Sequence, residues 1–574
     1  MSGRGLPKSE MIFQAKRSKA RVILSFSAVA LGLLQAWAYR YLVYMEDAWS
    51  YLDIADNYLC GDFARALSSY WSPLYSWLIA LGLAICQPPV CEKFVVLKLV
   101  NFLSFLFSIF AFELLLDQVI AWYREDAFAD GRPLLKVSET QLELSSYLVF
   151  IFMSLSVGAV WKDTPDLLMT GFLYLATACS LAFWRGKADK NNSLLLGLSL
   201  GAGYLCKAVM IPVALVYFLI IAIAPQSKAA KKRTIIVVIA LFASLTAPYI
   251  VAISFKNQKP TLSTTMTYNY ALWVLRSAPF RHALALRTLD QLPIKFAHPS
   301  QVIFQQPQVF YFAEPIRATF ATHYDPAYWF DGLKLYFDWI YQLFATANSL
   351  FVLSRLFFAW LFFGWLVLLV GCRNWAISLQ SMTQRLPLFL PSLAGLSLYS
   401  IGLNCNTLYC ERYFPGFFVL WFLGLMGSIR LPDTIKVRKV VLVSIIVSLL
   451  GMGSRFCAEL GNSLTTLKTS SVNQDCLIFR RLTELGIGPG DQLANLDPLR
   501  KVGWAQMGRF RIVADILDET GFWQLPESRR EDLYQVLRLR QIKALTYTTG
   551  DLSPKQYPKG WQQVAGTQFW FYLL

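Results

Sequence analysis

Two adjacent carboxylates, Glu46 and Asp47, follow the first apolar run of the chain and open the stretch YMEDAWSYLDIADNYLCGDFARALSSYWSPLY at residues 44–75. About 20 apolar residues cross a bilayer, and residues 22–45 contain such a run, so both acids sit where it leaves the membrane. Behind them Asp53, Asp56 and Asp62 are mixed with aromatics, and Trp71-Ser72-Pro73-Leu74-Tyr75 closes the stretch. Carboxylates at a membrane surface, beside an aromatic amphipathic segment, suit a site where a lipid-borne substrate meets a base. A solvated interfacial loop is the plainer reading of any single acid here.

Three further polar groups stand among apolar runs. In Trp161-Lys162-Asp163-Thr164-Pro165-Asp166, a proline at a helix start explains one neighbouring acid as capping chemistry, but hardly both Asp163 and Asp166. In Gly201-Ala202-Gly203-Tyr204-Leu205-Cys206-Lys207, a cation lies between two apolar runs with no obvious partner. Such a residue is a functional candidate by default; its natural ligand is a phosphate, and a snorkelling contact with lipid headgroups is the alternative. Arg412, in Cys410-Glu411-Arg412-Tyr413-Phe414, can fork onto phosphate oxygens, or simply pair with Glu411 or a headgroup.

The elements that must position these groups follow from composition. The chain has 574 residues, 56% hydrophobic and 15% aromatic, with only 16% charged and a mean hydropathy of +0.43. That balance indicates a polytopic membrane protein. The net charge of +17 is no nucleic-acid signal, because Lys and Arg fall in short connections, the positive-inside pattern. Taking those clusters as the inner side, apolar runs near 22–44, 94–122, 143–161, 167–184, 193–206, 208–224, 234–253, 350–371, 386–404, 413–429 and 439–455 give about 11 spans. The first run, with basic residues before it, is read as a retained anchor rather than a cleaved signal. Residues 1–21 are then a cytoplasmic tail. The run from Pro73 to Cys86 is short for a crossing and is expected to lie in the outer interface.

Outer segments are then 45–93, 254–349 and 456–574. From about Asn473 the charge rises, and strand-like and helix-like stretches alternate. Gly490 to Ala494 reads as a turn into a strand, Arg529 to Arg540 as an amphipathic helix, Ile542 to Tyr547 as a strand and Trp561 to Leu574 as a hairpin. The expected fold is an all-α membrane domain over 22–455 with a small carboxy-terminal α/β domain over 456–574. Of ten cysteines, Cys86–Cys91 and Cys405–Cys410 are close enough for local bridges in an oxidising compartment. Neither C-x-x-C nor H-x-x-x-H occurs, so no zinc site is expected, and no cofactor is assigned. Tyr311, His323, Tyr324, Asp325, Tyr328 and Trp329 make the 254–349 segment rich in aromatics and polar groups, as a sugar-binding cover would be; interfacial aromatics explain it nearly as well.

With these residues in view, the chain resembles the GT-C class of membrane glycosyltransferases, in particular the bacterial branch with aminoarabinose transferases and relatives of protein O-mannosyltransferases. The likeness rests on Asp47-Ala48-Trp49-Ser50-Tyr51-Leu52, Ser72-Pro73-Leu74-Tyr75, Thr164-Pro165-Asp166, Gly203-Tyr204-Leu205-Cys206-Lys207 and Glu411-Arg412-Tyr413, in order over residues 20–430. It implies an inverting transfer of a sugar from a polyprenyl-phosphate donor to a glycan, lipid or protein acceptor. The reaction would take place at the outer face of a bacterial inner membrane, without a catalytic metal. Many members carry Asp-Glu where this chain has Glu46-Asp47; register assigns the base to Asp47. Asp163 or Asp166 would orient the acceptor or the base, Lys207 and Arg412 would hold the donor phosphate, and Tyr324, Asp325 and Trp329 would meet sugar or acceptor. A lipid-linked sugar carrier or a non-catalytic membrane scaffold are the rival classes; a carrier would more often show repeated halves, and none is evident.

Overall fold

Among the described residues, each apolar run named above falls largely within a helix. The computed structural model describes residues 18–43, 47–127, 134–135, 138–187, 190–275, 300–312, 319, 336–371, 382–404, 408–428, 431–432, 435–469, 473–496, 502–516, 518–549 and 559–574. The principal helices are α1 (Lys19–Ala38), α2 (Asp47–Leu59), α3 (Pro73–Cys86), α4 (Lys93–Ala127), α5 (Glu139–Phe152), α6 (Asp166–Trp184), α7 (Lys190–Cys206), α8 (Met210–Ile223), α9 (Lys228–Lys256), α10 (Trp339–Gly371), α11 (Leu386–Gly402), α12 (Pro415–Ser428) and α13 (Ile435–Thr469). Among the described residues, five segments are long and apolar enough to cross a membrane: Lys19–Ala38, Val90–Glu125, Glu139–Gly158, Asp166–Trp184 and Lys228–Lys256. Pro73–Cys86, Met210–Ile223, Leu386–Gly402 and Pro415–Ser428 are shorter apolar helices.

The helices are fastened at one end by charge and along their length by small residues. Ser18 caps α1 by accepting the Arg21 N–H. The Arg21 guanidinium, 2% exposed, donates to Glu113 at 2.8 Å and Asp117 at 2.6 Å on α4, and Ser18 donates to Glu143 on α5 at 2.7 Å. A buried arginine is tolerated only because its donors are so fully met. A capping box of Ser138 and Gln141 starts α5. Gly197 and Gly201, four residues apart on α7, let α9 approach: a Cβ at Gly197 would lie 2.9 Å from Leu241 and one at Gly201 2.9 Å from Leu245. At the centre runs α6, buried along nearly its whole length against α4, α7 and α12.

The carboxy-terminal domain is a mixed sheet of seven strands, β1 (Ser300–Gln305), β2 (Gln308–Phe312), β3 (Gln492–Asn495), β4 (Arg511–Ile516), β5 (Ile542–Thr548), β6 (Trp561–Gln563) and β7 (Phe569–Leu573), in the order β1-β2-β4-β3-β5-β7-β6. The pairs β3–β4 and β3–β5 are parallel, and the outer strands run antiparallel to their neighbours. The strand, helix and hairpin expected from 490–574 are present, with α14 (Gln474–Glu484) and α15 (Glu527–Leu539) covering the sheet. Two of its strands come from the middle of the chain: the β1–β2 hairpin adds to β4, with Val309 opposite Ile516 and Tyr311 opposite Ala514. Tyr311, expected in a sugar-binding cover, is therefore a sheet residue with Arg540 stacked 5.2 Å from its ring.

The cysteine pairing differs from the local one expected. Cys91 bonds Cys476 of α14, with Cα atoms 5.4 Å apart. Cys86 is the last residue of α3, after which Gln87 takes a left-handed conformation (φ 43°) and the chain turns through two prolines. That turn leaves Cys86 exposed and free while Cys91 meets the carboxy-terminal domain. The expected Cys405–Cys410 bridge involves residue 405, outside the described residues. Beside the disulfide, Lys93 donates to Asp56 of α2 at 2.6 Å, and Thr319 donates to Asp53 at 3.3 Å.

Two measurements check this arrangement. Non-reducing peptide mapping is expected to recover a cross-linked peptide pair containing Cys91 and Cys476, with Cys86 as a free thiol. The second concerns Asp53, whose pKa is raised to about 7 by burial and then by the Asp56 charge, against relief from Thr319 and Lys93. Its folded pKa lies above the ordinary carboxylate value, so its contribution to stability is present in acid and lost as pH rises through about 7. The melting temperature of the native chain should therefore fall relative to that of Asp53→Asn between about pH 5 and about pH 8, and the gap should level off above.

Candidate active site

The candidate residues meet where four helix ends converge. Asp47 is the first residue of α2, and Asp166 is the first of α6. Lys207 follows the last residue of α7, where a cation also complements the helix dipole. Arg412 lies in a short 3₁₀ turn, Leu408–Tyr413, just before α12.

The loop that delivers Asp166 is unusual. After α5 the chain makes a wide π-type turn over Met153–Gly158, whose loosened carbonyls need outside donors. Gln35 donates to Leu155 O at 2.7 Å and accepts from the Val160 N–H at 3.1 Å. Lys162 donates to Val157 O at 2.6 Å, and burial followed by the charge of Arg412 pulls its pKa down to about 8. Pro165 then precedes α6, where its missing N–H costs nothing.

Asp166, 4% exposed, is the hub. One carboxylate oxygen accepts from Thr164 at 2.8 Å and lies 3.5 Å from Arg412 Nε; the other holds the Lys207 ammonium in a short ion pair. Lys207 therefore has the partner that its surroundings in sequence do not disclose. Arg412, 6% exposed, reaches Asp47 with Nη2 at 3.3 Å and donates to the Tyr413 hydroxyl at 2.9 Å. Its Nη1 has no hydrogen-bond partner among the described residues. Glu411, the neighbour that could have neutralised it, pairs with Arg455 at 2.5 Å instead.

Asp47 differs from Asp166 in the ways that matter for chemistry. Its side chain is 33% exposed and makes one long contact with a cation. A carboxylate with spare lone pairs and access to solvent can accept a proton, while Asp166 has its oxygens engaged on three sides. Asp163 is directed elsewhere: it is fully buried and pairs with Lys98 of α4 at 2.5 Å, which also donates to Trp161 O. Of the two acids read as orienting groups, only Asp166 joins the cluster. Glu46, Tyr324, Asp325 and Trp329 lie outside the described residues. Among the described residues no three His, Cys, Asp or Glu side chains gather in a way that could hold a metal ion.

Aromatic residues complete the cluster. The Tyr413 ring lies 4.2 Å from the Lys207 ammonium and 4.9 Å from the Arg412 guanidinium carbon, and it stacks on Tyr399 with centroids 4.9 Å apart. Tyr399 was not singled out in the sequence, because it sits inside the apolar run that forms α11. Near Asp47, Tyr51 packs edge-on against Trp71 at 5.0 Å and Tyr75 at 4.8 Å. Tyr70, half-buried, donates to Asn269 at 2.9 Å. The whole offers one accessible carboxylate beside two largely buried cations, one with an unpaired donor, on a wall of tyrosine and tryptophan.

No family model matches the chain, and no curated protein does. Among solved structures, ArnT from Cupriavidus metallidurans bound to undecaprenyl phosphate is 13% identical, with 97% of this chain and 98% of that one covered at a TM-score of 0.49. The Archaeoglobus fulgidus oligosaccharyltransferase is 12% identical, with 92% of this chain and 68% of that one covered at 0.49. The Pmt1–Pmt2 protein O-mannosyltransferase complex of S. cerevisiae matches over 50% of this chain and 39% of that one, at 13% identity and 0.30. All three are of the GT-C class. A likeness at this level assigns neither a reaction nor the residues that perform it.

The cluster makes its own prediction. Cation–π contact is worth about 0.5–2 kcal/mol, so Tyr413→Leu should weaken binding of a long-chain alkyl phosphate by roughly 3- to 30-fold. Tyr413→Phe keeps the ring but removes the hydroxyl that accepts from Arg412, so its affinity should fall between those of the native chain and Tyr413→Leu. Titration in nanodiscs, followed by tryptophan fluorescence, reads both.

Proposed function

We propose that the chain is an inverting glycosyltransferase that moves a sugar from a polyprenyl-phosphate donor to an acceptor hydroxyl at the outer face of the membrane. The observation that carries this reading is the Asp47–Arg412–Asp166–Lys207 cluster, in which an accessible carboxylate stands beside a buried and a largely buried cation. The Cys91–Cys476 disulfide supports the outer location, since such bonds persist in oxidising compartments.

The chemistry follows from the charges. Asp47 takes the proton of the acceptor hydroxyl as its oxygen attacks the anomeric carbon. The bond from that carbon to the lipid phosphate breaks, and the phosphate leaves with the electron pair. The departing lipid phosphate is a phosphate monoester that leaves as an anion, so it needs no strong general acid; what it needs is positive charge where its own negative charge grows. Lys207 and the unpaired Nη1 donor of Arg412 supply that charge in surroundings that screen it poorly. Asp166, itself held by the Thr164 hydroxyl, keeps the two cations in place between turnovers. One base and, among the described residues, no second accessible carboxylate in the cluster to act as nucleophile correspond to a single displacement, hence inversion.

Turnover and donor binding of purified protein in nanodiscs, with a polyprenyl-phosphate sugar, test the proposal. Asp47→Asn should lower turnover by about 10²- to 10⁴-fold while leaving donor affinity nearly intact, because base and acceptor meet only in the reacting complex. Lys207→Ala should weaken donor binding and slow departure of the phosphate together. Full turnover in Asp47→Asn would refute the assignment of the base, and donor transport across the bilayer without any transfer would favour the carrier instead.

A further inference from the structure

One face of α2 is held by the carboxy-terminal domain. Trp49, Asp53 and Asp56 recur at the spacing that puts residues on a single helical stripe, and each meets that domain or the residues packed beside it. Trp49, 4% exposed, packs with Cys476 and Met507 in one apolar cluster and lies against the backbone of Gly503. A Cβ built on Gly503 would fall 2.2 Å from Trp49 Cζ2 and 2.6 Å from Asp475 Oδ2. Asp475 in turn accepts from the Trp504 N–H at 3.2 Å. Asp53 accepts from Thr319 at 3.3 Å, whose carbonyl receives the Ile512 N–H of β4 at 2.8 Å. Asp56 accepts from Gln506 at 2.9 Å and from Lys93 at 2.6 Å, next to the Cys91–Cys476 bond.

Asp47 is two residues before Trp49, and residues two apart on a helix point about 200° from each other. The face opposite the docked stripe therefore carries the carboxylate that reaches Arg412. We propose that the carboxy-terminal domain is part of the catalytic apparatus: through Gly503 against Trp49 and the Cys91–Cys476 clamp, it fixes the rotation and depth of α2 and thereby the position of the Asp47 carboxylate. Gly503 and Trp49 are positioning residues; neither touches the reacting atoms. The inference rests on Asp47 being the base, and it gives the domain a role distinct from acceptor docking.

Gly503→Ala inserts a methyl group where there is no room, so Trp49 and α2 must move. A displacement of about 1 Å in a reacting group can cost up to about 10²-fold in rate. Turnover should fall by about 10- to 100-fold, with binding of polyprenyl phosphate in nanodiscs unchanged within about twofold. Trp49→Phe trims the ring that is struck, so the double variant Gly503→Ala/Trp49→Phe should recover most of the lost turnover. A purely structural role would not give that reciprocal rescue. Cys91→Ser/Cys476→Ser should lower turnover in the same sense, again without loss of donor binding.

Native turnover in Gly503→Ala, or equal losses of turnover and donor binding with no rescue by Trp49→Phe, would overturn the proposal. Should Gly503→Ala fail to fold, native turnover in the folded Cys91→Ser/Cys476→Ser protein would do so. Asp47→Asn, run in parallel, separates the two levels. If it is inactive while the positioning variants work normally, only this inference fails; if it turns over normally, the reading beneath it fails.

Discussion

Two cations and a carboxylate taken out of water at the same point set the terms for the rest of the molecule. Asp166 can stay ionised at 4% exposure only because Lys207, Arg412 and Thr164 surround it, and the cations stay buried only because Asp166 is there. Breaking a buried ion pair typically costs about 3–5 kcal/mol, a large part of a domain's stability. The elements that bring these groups together are correspondingly well fixed. The π-type turn is held by Gln35 and Lys162, α6 is buried along its length, and the Tyr399–Tyr413 stack packs against Lys207. What the arrangement leaves incomplete, among the described residues, is the Arg412 Nη1 donor, buried with no hydrogen-bond partner.

The helices were legible because a membrane chain announces them: long apolar runs between cationic clusters have few other ways to satisfy their backbone. The residues of the charged cluster are legible for a related reason. Charge is costly in such a chain, so Asp166, Lys207 and Arg412 stood out against their surroundings. Which charge meets which did not. Asp163 and Asp166 look equivalent in the sequence, yet the turn in which Thr164 N–H bonds Lys162 O sends them apart. The partner of Asp163, Lys98, is one cation inside a 35-residue helix far upstream. Tyr399 carried no signal, since a tyrosine in an apolar run reads as packing.

The cysteines failed for the opposite reason, because proximity in sequence suggested a pairing that the turn after α3 does not permit. Only the distant partner Cys476 comes to Cys91, a separation of 385 residues. The β1–β2 hairpin is hidden likewise: its short strands alternate too briefly to be told from a loop, and the strand that β2 pairs with lies more than two hundred positions on.

That hairpin has a consequence for how the chain can be divided. Because β2 pairs with β4, cutting at the end of α13 yields a fragment with β4 as an open edge, and leaves a hairpin on the other piece with nothing to pair against. Unpaired edges of this kind invite association with other chains. The carboxy-terminal domain is therefore not a transplantable module. An exchange between related proteins would have to carry residues 300–312 together with residues 473–574, and would need to preserve the match between Cys91 and Cys476 on either side of the join. Variation in the segment around the hairpin is thus tied to variation in the domain, so the two would be expected to change in concert rather than independently.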